Sequence, residues 1–165
     1  MNRRKLKILV CILILILWIS TIFVLSSLNG FESNRKSYNA INFTIRNGLR
    51  VTNKLSITNV NSRIKAIELS NRLNYPLRKV AHATEYCILG IIVVSLLRGI
   101  KVKNKYFLSL LSCFLYACTD EMHQIFTGRT PMFKDVLIDT AGCMIGLLIF
   151  YIISSRKRVA YSEKV

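Results

Sequence analysis

The chain has 165 residues, 52% of them hydrophobic, with 24 Lys and Arg against 8 Asp and Glu. That length suits one domain, and hydrophobicity at this level excludes an ordinary soluble globule. The formal charge of +16 sits beside long apolar runs and carries no nucleic-acid recognition motif, so membrane lipid or an anionic envelope polymer is the expected electrostatic partner and nucleic acid is not.

The first apolar run, from about Ile8 to Leu28, reads "ILVCILILILWISTIFVLSSL". It is long enough to span a bilayer, which takes about 20 residues at about 1.5 Å each. The basic leader "NRRKLK" resembles a signal peptide. The run is longer than a signal's apolar core and no A-x-A site follows it, so it is read as an uncleaved membrane helix. In the following loop, Ile41, Ile45 and Leu49, then Val60, Ile64, Leu73 and Leu77, recur at near-helical spacing. They predict two amphipathic helices, about 38–48 and 61–74, lying on the outer leaflet.

The second run covers about Val80 to Leu97 and the fourth about Val136 to Ile153. The third starts at Tyr106 and is purely apolar only to Cys118; it reaches spanning length only if the helix continues through Asp120 and Glu121 to about Phe126. The predicted fold class is therefore all-α, a membrane protein with four transmembrane helices and amphipathic helices in the first outer loop. Three parts follow: an N-terminal helix with its outer loop (1–78), a three-helix membrane domain (79–155) and a basic tail (156–165).

Arg3, Arg4, Lys5 and Lys7, then Arg98, Lys101, Lys103 and Lys105, then the "SSRKR" after the fourth run all fall on one side of a four-crossing chain. Positive residues in short loops stay inside, so both termini of this multi-pass cell-membrane protein are expected to be cytoplasmic. The loop from Asn29 to Arg78 is basic too, but long loops cross largely regardless of charge. Cys11, Cys87, Cys113, Cys118 and Cys143 lie in apolar segments without CxxC spacing and read as free, packed thiols.

Against this apolar background the polar residues form stripes. On a helix, Arg78, Lys79, His82, Glu85, Tyr86 and Gly90 fall within an arc of roughly 140°. Tyr116, Asp120, Gln124 and Thr127 share a face of the third helix, flanked by Glu121 and His123. Asp135, Asp139, Gly142 and Gly146 line the fourth, and the last two form a G-x-x-x-G that permits close helix approach. Both histidines of the chain and five of its eight acids lie in these stripes, all at the same outer depth. Ionised groups cost about 2.5–3.5 kcal/mol each near a helix centre, so they are expected to face one another around a polar pocket open to the outside. A buried ion-pair scaffold of Arg78, Lys79 and Arg129 against the acids is the structural alternative.

The segments "RKVAHATEYCILG" and "DEMHQIFTGRTPMFKDVLIDTAGCMIG" resemble the signature of VanZ-like membrane proteins, R-K-x-x-H-x-x-E-Y, then D-E-x-H-Q, an Arg shortly after, and D-x-x-x-N/D with G-x-x-x-G. The matches are Arg78, Lys79, His82, Glu85 and Tyr86; Asp120, Glu121, His123 and Gln124; then Arg129, Asp135, Asp139, Gly142 and Gly146. Asp139 stands where the pattern often has Asn. The resemblance covers about residues 75–155. It implies a role at the cell envelope, near lipid-linked cell-wall precursor, because the family is named for a protein linked to low-level resistance to teicoplanin-type glycopeptides.

Two accounts of the pocket follow. In the first it binds a lipid-linked precursor or a lipoglycopeptide: Arg78, Lys79 and Arg129 hold phosphate, Tyr86 and Tyr116 line the site, and Gln124, Asp135 and Asp139 complete it. In the second it is a hydrolase or transferase acting on a lipid phosphate. His82 or His123 then serves as base, with Glu85, Asp120 or Glu121 orienting it or donating a proton. Two histidines with acids could also hold a divalent ion, but no standard ligand spacing is present, and no cofactor is expected. A transmembrane proton path is disfavoured, because the inner halves of the helices are apolar.

Overall fold

A computed structural model describes residues 2–27, 43, 60–126 and 132–162. These residues form four long helices: α1 (Arg3–Ser26), α2 (Val60–Gly99), α3 (Lys105–Phe126) and α4 (Phe133–Ser162). The chain divides into two compact units, residues 1–27 with 82–165, and residues 28–81. Segments Arg3–Ser26, Pro76–Gly99 and Phe133–Arg156 are long and apolar enough to cross a membrane, and they contain most of the first, second and fourth runs expected above. The protein is a multi-pass membrane protein.

Local chemistry sets the ends of these helices. Asn2 is extended and its side chain accepts from the Arg4 amide at 3.2 Å, capping the start of α1. Pro76 lies inside α2, where it removes one helical hydrogen bond and marks the start of the apolar segment. The expected helix over 61–74 is not a separate element. It forms the first part of α2, while of residues 38–48 only Phe43 is among the described residues. At the other end of α2, Val102 donates to Leu97 O at 3.0 Å and Lys101 to Arg98 O at 3.1 Å. This paired closure puts Lys101 at φ 65°, the left-handed position usually taken by glycine. Helix α3 runs unbroken through Asp120 and Glu121 to Phe126, as its predicted length required.

Contacts within the unit of residues 1–27 and 82–165 give the helix directions. The Arg4 guanidinium donates to Gly99 O at 3.0 and 3.2 Å, and Trp18 Nε1 to Glu85 O at 3.0 Å, so α1 and α2 are antiparallel. Tyr116 Oη donates to Ile19 O at 3.1 Å, and Ser27 Oγ and His123 Nε2 share a hydrogen bond of 3.1 Å, so α1 and α3 are parallel. Ala83 meets Gly142, Cys87 meets Gly146, and Arg98 Nη1 donates to Ser154 Oγ at 2.8 Å. Helices α2 and α4 are therefore parallel, and the bundle is up-down-up-down.

This arrangement sets two polar groups at opposite ends of the bundle. Arg4, Arg98, Lys101 and Lys105 gather at one end, and His82, Glu85, Asp120, Glu121, Asp135 and Asp139 at the other. Between them Ile22, Tyr86, Leu89, Cys113, Ala117, Val136 and Cys143 form the buried core. Leu13, Leu17, Val24, Phe107, Leu115 and Leu148 face outward. Such apolar exposure suits lipid and would be a liability in water. All five cysteines are free.

Candidate functional site

The site begins with a close helix crossing. A Cβ at Gly142 would strike the carbonyl of Ala83, and one at Gly146 the carbonyl of Cys87, so the G-x-x-x-G step lets the α2 and α4 backbones touch. His82 immediately precedes Ala83, and Asp139 lies one turn before Gly142. The crossing therefore sets His82 against Asp139, with Nδ1 4.0 Å from Oδ1. On the same face of α2, Glu85 Oε2 lies 3.8 Å from His82 Nδ1. The third wall is α3, whose Asp120 brings a carboxylate oxygen within 4.8 Å of donor atoms of both His82 and Asp139.

Burial grades the group from floor to mouth. Asp139 is 1% exposed and Asp120 3%, while the side chains of His82 and Glu85 are 17% and 20% exposed. Among the described residues, no hydrogen-bond donor reaches either oxygen of Asp139. Tyr86, one turn beyond His82, is fully buried, and its hydroxyl has no hydrogen-bond partner among the described residues. Its ring tilts against Tyr116 at 6.1 Å, and its phenol is in electrostatic reach of both Asp120 and Asp139.

The other sequence candidates take different places. Glu121 ties two helices together, accepting from Gln124 Nε2 at 2.8 Å and from the Met132 amide at 2.9 Å. It thus anchors the start of α4 to the end of α3, and Gln124 orients its carboxylate. Asp135 sits in the first turn of α4, where a negative charge suits the helix N-terminus. His123 turns toward α1, stacked on Phe23 at 4.4 Å and bonded to Ser27, rather than joining His82. Lys79 is buried and Arg78 half-buried, and both belong to the other compact unit. Arg129 lies outside the described residues.

Sequence periodicity missed Trp18, in the apolar stretch of α1, and Ser27, its C-cap, which bond the Glu85 carbonyl and the His123 ring. The only signal was that Trp18 is the chain's single tryptophan. At the opposite end a cleft of about 320 Å³ lies between α1 and α2, lined by Arg4, Lys7, Ile8, Cys11, Ser95 and Arg98 among others. None of the site residues reaches it.

The family model described as VanZ/LLP1 matches residues 11–154. That span takes in α1 from Cys11 onward and every candidate residue just described. The chain belongs to the VanZ/LLP1 family. The VanZ-like assignment drawn from two motifs thus extends to the N-terminal helix, which carries none of the motif residues but holds the site through Trp18. No curated protein and no solved structure matches the chain.

Proposed function

We propose that this VanZ-like protein binds a lipid-linked envelope precursor, or a lipoglycopeptide, at the polar end of its bundle on the outer face of the cell membrane. Binding there modulates sensitivity to teicoplanin-type glycopeptides. The observation that supports this reading is the convergence of His82, Glu85, Asp120 and Asp139 from three helices, at the end opposite Arg4, Arg98, Lys101 and Lys105. With positive residues inside, that end faces out and both termini are cytoplasmic. Helix α3 is then the fourth crossing: its 22 residues span about 33 Å at about 1.5 Å per residue, enough for a hydrocarbon core of about 30 Å. Arg78, Lys79 and Arg129 are the phosphate-binding residues this reading calls for.

The test compares teicoplanin susceptibility and co-purifying envelope lipid for cells making wild type or Asp120→Asn at equal membrane abundance. Wild type should lower susceptibility and carry precursor lipid, and the variant should do neither. Equal behaviour of the two proteins would remove the polar group from the function. A membrane hydrolase or transferase acting on lipid phosphate is the second reading, favoured by His82 standing within 4.0 Å of two carboxylates. It requires turnover of a lipid phosphate by the purified protein, lost in His82→Gln.

A further inference from the structure

We infer that His82, Asp120 and Asp139 form a binding site for one divalent first-row transition cation, Mn²⁺ or Zn²⁺. One imidazole nitrogen and two carboxylate oxygens, from three different helices, lie within 4.8 Å of one another. Adjacent ligands on an ion with bonds of about 2.1 Å stand about 3.4 Å apart in tetrahedral geometry, so closure takes side-chain rotations on the order of 1 Å. Glu85 Oε2, 3.8 Å from His82 Nδ1, is a fourth donor atom close to the group.

Two further observations point to a ligand. Among the described residues Asp139, 1% exposed, has no hydrogen bond to either oxygen, and burying a carboxylate without hydrogen bonds is costly. A divalent ion bonded to Asp139 supplies the close partner its oxygens lack among the described residues, where His82 at 4.0 Å is beyond hydrogen-bonding distance. The buried Tyr86 hydroxyl, also without a hydrogen-bond partner among the described residues and in electrostatic reach of both aspartates, is placed to donate to a ligating carboxylate and orient it, as groups around metal ligands do.

The donor set narrows the metal. Imidazole suits Zn²⁺ and its neighbours, carboxylates suit Mn²⁺, and the absence of thiolate from the group disfavours Cu⁺. Mg²⁺ keeps most of its water and takes oxygen ligands. Entry is from the polar end, past the partly exposed His82 and Glu85. The ion site stands whether or not an envelope molecule binds there.

The test uses the full chain in detergent, purified without a histidine tag, stripped with chelator, and loaded with Mn²⁺ or Zn²⁺ alone. Bound metal is measured after gel filtration, and affinity is followed through Trp18 fluorescence, because its indole bonds the Glu85 carbonyl. Wild type should retain about one ion per chain from one of the two solutions. Asp139→Asn and His82→Gln should lose more affinity than the roughly 10–100-fold typical of an outer-shell change. His123→Gln, which alters the other histidine, should load like wild type. The inference is overturned if wild type retains no stoichiometric ion, or if Asp139→Asn and His82→Gln both load normally. Should Asp139→Asn fail to fold, His82→Gln decides alone: normal loading refutes the site and loss supports it.

Discussion

Replacing Gly142 by alanine adds a single methyl at the point where two helix backbones meet. The new Cβ would stand 2.8 Å from both Cα and C of Ala83 and closer still to its carbonyl oxygen. Carbon atoms settle at about 3.5–4.0 Å, so α2 and α4 must part by about 1 Å at this level. Alanine favours a helix over glycine by about 0.8–1.0 kcal/mol. Overpacking costs about 1–3 kcal/mol, and the upper end applies because the obstruction is helix backbone that cannot rotate away. The net expectation is a loss of about 2 kcal/mol, read by SDS-titrated unfolding of the detergent-solubilised protein with Trp18 fluorescence as the signal. Adding Ala83→Gly should not rescue it, since the methyl strikes backbone atoms that glycine retains. The separation of His82 from Asp139, 4.0 Å in the wild type, should widen too, weakening any ligand shared by the two. Wild-type stability or better in Gly142→Ala would refute the backbone-contact account of this crossing.

Glu121→Gln places an amide where the carboxylate accepts from Gln124 and Met132, and should cost about 1–3 kcal/mol in the same unfolding assay. His123→Gln removes the stack on Phe23, worth about 0.5–1.5 kcal/mol; it should insert normally, with drug-susceptibility readouts unchanged at equal abundance. Lys101→Gly relieves a left-handed non-glycine residue at φ 65° and should raise stability by about 1 kcal/mol. Reporter fusions near residues 55 and 130 should read outside and near 102 inside; an inside reading at 130 would put the polar group on the cytoplasmic face.

The lengths of the apolar runs and the stripes within them were legible because each depends on one helix alone. A turn of 3.6 residues decides that His82 shares a face with Glu85 and Tyr86, whatever packs against them. The same local rule carried α3 through Asp120 and Glu121, and the G-x-x-x-G marked Gly142 and Gly146 as the place of close approach. What periodicity leaves open is how far each helix is rotated about its axis and which neighbour each flank meets. That was decided in three dimensions, where the Ala83–Gly142 contact turned Asp139 toward His82, and Phe23 and Ser27 drew His123 to α1. Glu121 and Asp120 are adjacent in sequence and equally acidic, yet one became a tie between helix ends and the other part of the site. A 100° step around α3 separates them, and only the positions of α2 and α4 give that step its meaning.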